Sequence, residues 1–337
     1  MVKFLNRLTE NVLNGKQISH RDAVDLSEIS KQSQMVYLFS CANQIREAFK
    51  GSVIDLCVVL NAKSGGCSEN CKFCAQSSHY PTQIKRYPLV EKNDILAKAK
   101  NASAVGANRF GIVVSGRDVK NTEELSRICS AIQDISSQAG VEKCASLGTL
   151  TRQGARELKK AGLQRYHHNL ETAESFFPKI CTTHSYQDRV ATVKIAKEEG
   201  LAVCSGGIFG LGESPMERLE LAFALKELDV DSIPLNFLNP IPGTPLENAP
   251  PVQPMEILKL IAIFRFIHPT KDIRVCGGRQ RNLRSAQALI YLAGANATMI
   301  ADYLTTPGSD PAEDIQMIKD LMLEPQQRAH SPQPAVG

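Results

Sequence analysis

Beyond residue 50 the chain alternates between two hydrophobic patterns. Short runs between longer amphipathic stretches predict strands near residues 53–60, 109–114, 142–147, 164–169, 201–206, 232–237, 272–276 and 298–301. Between them, apolar positions recur every three to four residues, which predicts helices over 94–105, 122–139, 151–161, 185–199, 214–228, 254–266 and 285–293. Eight strands separated by helices predict an α/β protein, a (β/α)8 TIM-type barrel rather than an open sheet. Residues 1–50 read as an N-terminal helical extension, with Ser19 as an N-cap ahead of acidic and apolar residues at helical spacing. The barrel then spans 51–323, and the Pro- and Gln-rich segment 324–337 predicts a disordered tail. In such barrels the chemistry sits where the strands end. Asn169, Cys204, Asn236 and Cys276 all fall at predicted strand ends.

Composition narrows this picture. The 337 residues are 43% hydrophobic, contain no Trp and carry a formal charge of +4. The basic residues form no run, so nucleic acid is not an expected partner. The first residues lack a signal-peptide core, and no apolar run is long enough to cross a bilayer; a cytoplasmic protein without membrane contact is expected. Ten cysteines in such a chain read as thiols, many of them metal ligands.

Three of these cysteines carry the chemistry. Cys67, Cys71 and Cys74 follow a C-x3-C-x2-C spacing, with Phe73 just before the last. Three thiolates in one loop can hold three irons of a [4Fe–4S] cube and leave the fourth iron open to chelate a small molecule. Zinc is the plainer alternative, but it usually takes four ligands in paired motifs, and no second pair lies nearby. The triplet resembles the fingerprint of the radical S-adenosylmethionine enzymes. The resemblance implies that an electron from the cluster cleaves bound S-adenosyl-L-methionine to a 5′-deoxyadenosyl radical, which abstracts hydrogen from unactivated C–H bonds.

The rest of the chain is similar to the biotin synthases of that superfamily. The similarity runs from about residue 11 to 327 and is carried by Tyr166-His-His-Asn-Leu-Glu-Thr172, Val203-Cys-Ser-Gly-Gly-Ile-Phe-Gly-Leu-Gly-Glu213, the stretch from Ser232 to Leu246, and Ile273-Arg-Val-Cys-Gly-Gly-Arg279. The resemblance implies dethiobiotin as substrate, sulfur insertion as the reaction, an electron donor such as flavodoxin or ferredoxin, and a homodimer. It places Phe73, Gly206, Gly207 and Ile208 against the adenine and methionyl parts of the cofactor, and Asn169 and Glu171 on its ribose. Arg189 would pair with the methionyl carboxylate. Asn169 and Asn236, with His167, would hold the ureido ring, and Thr305 and Thr306 would cap the substrate carboxylate.

One part of the pattern departs from the family. Familiar biotin synthases hold a second, [2Fe–2S] cluster in the barrel on three cysteines and an arginine. Here Cys144, Cys204 and Arg274 match, but Gly111 stands where the remaining cysteine belongs, and His167 replaces a substrate-side Asn. Cys57 and Cys276 are additions. Alternate barrel strands supply one inward layer, so Cys57, Cys144 and Cys204 are expected to converge. Three thiolates with one open position describe a four-iron auxiliary cluster better than a two-iron one, and the open iron could carry an exchangeable sulfide. Cys276 is a possible further ligand; Cys41, Cys129 and Cys181 read as structural. Two rivals stand beside this reading: another radical enzyme, such as a hydrogenase-maturation protein or a methylornithine synthase, and a non-catalytic iron–sulfur redox sensor.

Overall fold

Eight parallel strand positions close on themselves in the computed structural model, which describes residues 1–119 and 121–326. In chain order β1 (Val53–Lys63), β2 (Arg109–Val114), β3 (Glu142–Ser146) and β4 (Arg165–His167) pair in sequence. The fifth position is split into β5 (Ala202–Cys204) and β6 (Gly207–Phe209), both paired with β7 (Ser232–Phe237). Then come β8 (Asp272–Val275) and β9 (Ala297–Met299), and β9 pairs back onto β1 to close the barrel.

The outer helices are α4 (Lys92–Ala104), α5 (Thr122–Gln138), α6 (Arg152–Lys160), α7 (Tyr186–Glu198), α8 (Pro215–Glu227) and α9 (Pro254–Ile267), after an N-terminal extension of α1 (Val2–Leu13), α2 (His20–Ser27) and α3 (Gln32–Lys50). Reciprocal capping boxes, Ser19–Asp22, Ser185–Asp188 and Ser214–Glu217, fix the starts of α2, α7 and α8. Helix α9 is apolar almost all round because the extension covers its outer side: α3 and α2 pack on it and bury Ile257 to Ile267.

The expected helix over 285–293 is broken into α10 (Arg279–Leu283), a 3-10 turn at Arg284–Ala286 and α11 (Leu289–Leu292). Two buried interactions hold the chain in that path. Asn282 accepts from the Val252 amide and donates to the Leu238 and Gly278 carbonyls, while Arg279 pairs with Asp314 at 2.7 Å. Asp314 belongs to α12 (Pro311–Asp320), which hydrophobic periodicity did not reveal. The tail does not begin at Glu324: β10 (Glu324–Pro325) pairs in parallel with Val53–Ile54, and the Gln326 amide donates to the Ile54 carbonyl. The rest of the expected tail, 327–337, lies outside the described residues. Among the described residues no helix is long and apolar enough to cross a membrane.

Candidate active site

The cysteine triplet lies in the loop that leaves β1. Gly65 and Gly66, with φ of 76° and 66°, turn the chain there, and an added Cβ at Gly65 would meet Arg86 Cγ at 2.6 Å. The loop folds back on itself: the Cys67 amide donates to the Gln76 carbonyl at 3.0 Å, and the Ser78 amide to the Cys67 carbonyl at 2.8 Å. Cys67, Cys71, Phe73 and Cys74 line a cavity of about 180 Å³ that also holds His168 and Arg189. Phe73 and Cys74 also line a larger one of about 370 Å³, which runs into the barrel.

A single tetrahedral zinc ion with bonds of about 2.3 Å would draw thiolate sulfurs to about 3.8 Å from each other. The triplet is not gathered that tightly; among the described residues only Cys71, Cys181 and His184 have ligand atoms all within 4.8 Å of one another. The wider spacing suits a multi-iron cluster. His168 is buried beside it, and its Nε2 lacks a protein partner.

The residues expected around the cofactor interlock. Arg189, placed in the first turn of α7 by the Ser185 capping box, donates through Nη1 to the Asn169 carbonyl at 2.9 Å and to Glu171 Oε1 at 3.3 Å. Asn169 donates to Glu171 Oε2 at 3.2 Å and accepts from the Gly206 amide at 3.1 Å. Glu171 has a φ of 71°, a left-handed backbone uncommon for a residue with a Cβ. Gly206 and Gly207 have a packing reason to be small. Added Cβ atoms would lie 2.0 Å from the Pro234 carbonyl oxygen and 2.6 Å from that of Glu171. Neither glycine lines the cavities, whereas Ile208, Asn169, Glu171, Asn236, Thr305 and Thr306 line the larger one. Asn236 is held at both ends, donating to the Gly207 carbonyl at 3.1 Å and accepting from the Gly277 amide at 3.0 Å.

Deeper in the same cavity Cys57, Cys144, Cys204 and Cys276 come together, with Arg274 and His167. Gly111 sits between Val59 and Cys144 in register and adds no side chain to the space. Burial raises the Cys57 thiol, with Arg274 and Arg109 pulling the other way. Burial, then the neighbouring Cys204 and Cys57, push Cys144 up to about 12. Burial also raises Cys204, but the hydrogen-bonded His167, Arg165 and Arg274 outweigh it and bring that thiol down to about 7. Cys276 is raised by burial.

Two arginines near these thiols went unnoticed in the sequence. Arg109 lines the cavity and meets Asp55 at 3.3 Å; Arg274 bonds the other oxygen of Asp55. Arg165 sits 3.7 Å from Asp272. The Nε atoms of Arg109 and Arg165, and Nη1 of Arg165, have no hydrogen-bond partner. Guanidinium nitrogens that no protein atom satisfies, close to four thiols, fit an anionic iron–sulfur cluster, which would add negative charge to that of the paired carboxylates. Period-2 patterning marked Arg109 and Arg165 only as strand starts, so the sequence held no separate signal for them. Cys181, expected as packing, lies 3.7 Å from the Cys71 sulfur.

This barrel, with its cysteine loop beyond the first strand, is that of a radical S-adenosylmethionine enzyme. Residues 62–225 match the Radical SAM superfamily, and residues 234–324 match the Biotin and Thiamin Synthesis associated domain. The chain belongs to the biotin synthase family. It is 51% identical over 323 residues to the biotin synthase of Geotalea uraniireducens (strain Rf4), covering 96% of this chain and 98% of that one. The biotin synthase of Geobacter sulfurreducens (strain ATCC 51573 / DSM 12127 / PCA) is 49% identical over 323 residues, with the same 96% and 98% coverage.

Solved structures share the fold at lower identity. Methylornithine synthase superposes with a TM-score of 0.84 at 20% identity, covering 96% of this chain and 98% of that one. The FeFe-hydrogenase maturase from Carboxydothermus hydrogenoformans gives 0.81 at 19% identity, covering 96% and 79%. Both expected rivals among the radical enzymes are thus relatives in fold, while half-identical relatives over nearly the whole chain decide the family. Family membership implies a [4Fe–4S] cluster, S-adenosylmethionine and an auxiliary iron–sulfur cluster.

Proposed function

We propose that the chain converts dethiobiotin to biotin, with Cys67, Cys71 and Cys74 holding the cube and Cys57, Cys144 and Cys204 holding a four-iron auxiliary cluster with an open position for sulfide. When bound, the cube would supply the electron that cleaves S-adenosylmethionine, and the auxiliary cluster the sulfur. The observation that carries this reading is the group of buried lumen thiols beside guanidinium groups whose hydrogen bonds the protein satisfies only in part.

The chain's own residues hold and align. Asn169, Glu171 and Arg189 form one hydrogen-bonded unit where the family grips the nucleoside and methionyl parts. The unit arrives preassembled, so little side-chain freedom is lost when a ligand binds. Asn236, fixed by Gly207 and Gly277, keeps one N–H and one lone pair for a ureido group. Thr305 and Thr306, at the rim of the larger cavity, suit the substrate carboxylate. A low-potential donor such as flavodoxin or ferredoxin, a homodimer and a cytoplasmic setting complete the proposal.

A second reading gives Cys276 a ligand's place, because its thiol faces the same neighbours, Arg274, Cys204 and Cys57. Iron and sulfide analysis with Mössbauer spectroscopy on anaerobically purified protein tests both. The four-iron reading expects about eight irons per chain. About six irons, with a [2Fe–2S] spectrum that survives Cys57→Ala, would refute it and make Cys276 the leading replacement for the cysteine missing at Gly111.

A further inference from the structure

Cys181 reaches Cys71 from the segment just ahead of α7. Their sulfurs are 3.7 Å apart, and His184 Nδ1 lies 3.3 Å from the Cys181 sulfur. No other trio of Cys, His or acidic side chains among the described residues has its ligand atoms so close, all within 4.8 Å. The sulfur separation is what a tetrahedral ion with metal–sulfur bonds of about 2.3 Å imposes. It is too short for two corners of an iron–sulfur cube. The Glu69 carboxylate adjoins the trio: it bonds His184 Nδ1 and accepts from the Thr183 hydroxyl at 2.7 Å. Cys71 and Cys181 are buried, and the His184 and Glu69 side chains are 5% and 8% exposed. Two thiols, an imidazole and an adjoining carboxylate, largely buried at the wall of the smaller cavity, form a donor set for zinc or a similar borderline-soft divalent ion.

We propose that Cys71, Cys181 and His184, with Glu69 as fourth ligand, form a zinc-class site in the cluster-free chain, and that this site competes with the iron–sulfur cube for Cys71. Binding releases the two thiol protons. For His184 Nδ1 to ligate, its proton moves to Nε2, which at present accepts from Arg189 Nε at 3.0 Å. Arg189 then gives up that bond and keeps those to the Asn169 carbonyl and Glu171. Cys71 cannot hold a zinc ion with Cys181 and an iron with Cys67 and Cys74 at once, so the two occupancies exclude each other. The zinc form keeps Cys71 bound and unoxidised until iron arrives. The zinc site stands on its own geometry; only the competition rests on the cube reading.

The test uses the full-length chain, cluster-free and anaerobic, titrated with Zn²⁺ and with Co²⁺ as a spectroscopic probe. Wild type is expected to bind one more equivalent of zinc than Cys181→Ala. Its Co²⁺ form should show thiolate charge-transfer bands that weaken in Cys181→Ala and His184→Gln. The affinity loss should exceed the roughly 10–100-fold that removal of a mere outer partner produces. Zinc loading should block uptake of about four irons in wild type and not in Cys181→Ala. Cube assembly by Cys181→Ala without zinc shows that this variant folds. An equal zinc count in wild type and Cys181→Ala overturns the site. So does loss of that equivalent in Cys67→Ala with retention in Cys181→Ala, which would put the ion on the loop triplet. Zinc bound as expected with iron uptake unchanged overturns the competition. Failure of every variant to build a cube, with the zinc difference intact, counts against the cube reading and leaves the zinc site standing.

Discussion

His167 and Cys204 stand opposite each other in register across β4 and β5, and they share a hydrogen bond. Burial disfavours a charged imidazole, but the Cys204 sulfur outweighs that and raises the His167 pKa. The pair places a proton donor beside a thiol expected to ligate the auxiliary cluster. His167→Ala should therefore leave S-adenosylmethionine cleavage in place while lowering biotin formation by about 10–100-fold, the range for losing a ligand's partner. The ratio of deoxyadenosine to biotin in a single turnover reads this directly. An unchanged ratio would make His167 a packing residue.

The two groups of cysteines should separate by mutation. Cys71→Ala should abolish reductive cleavage of S-adenosylmethionine and retain about four irons, those of the lumen cluster. Cys57→Ala should lose up to about four irons and stop biotin formation while deoxyadenosine still appears. Iron analysis paired with product chromatography distinguishes these patterns. Full cleavage activity in Cys71→Ala would end the radical assignment.

Asn236 offers a finer test because its amide is tied at both ends. Asn236→Ala should weaken dethiobiotin binding by about 1–3 kcal/mol, the cost of leaving buried polar groups without partners. Dethiobiotin should bind only after S-adenosylmethionine, since in the proposed arrangement the nucleoside would form part of its pocket wall. Calorimetry with and without the cofactor measures both effects; unaltered affinity in the variant removes Asn236 from the substrate site.

His268 sets an acid limit on the fold. Burial in the core lowers its pKa from 6.5 to about 3, against its hydrogen bond to the Ala222 carbonyl at 3.0 Å. Below pH 6.5 the unfolded chain binds a proton that the folded one refuses until about pH 3. Stability should therefore fall as pH drops through that window, by about 1.4 kcal/mol per unit from this residue. His268→Gln should flatten the pH dependence of the urea midpoint between pH 7 and 5. An equally steep dependence in the variant would assign the acid sensitivity to other groups.

The barrel was legible because strand and helix patterns alternate regularly and several helices start on a capping residue. Ser185 and Ser214 fixed two helices to within a residue. Helix α12 was missed although Asp310 and Pro311 announce its start, because its short apolar stripe lies among charged residues. Pairing of Glu324 with Val53 is a long-range contact that local composition cannot show. In the site, residue types and spacing exposed the loop triplet, and strand alternation brought the lumen cysteines together. The closeness of Cys181 to Cys71 was not legible because it depends on a loop approaching from 110 residues away. Arg109 and Arg165 were invisible for a related reason. A buried guanidinium with an unsatisfied nitrogen is a property of the assembled barrel, not of the strand that carries it.

Glu171 adopts its left-handed backbone beside a carboxylate that binds Asn169 and Arg189. Such a conformation costs about 1–3 kcal/mol with a side chain and far less with glycine. By backbone conformation alone glycine would fit there better, and the carboxylate's bonds to Asn169 and Arg189 are what a glycine would give up. If Glu171 also grips the cofactor as proposed, folding and catalysis pull this one position in opposite directions. A chain selected only for thermal robustness would then be free to change it.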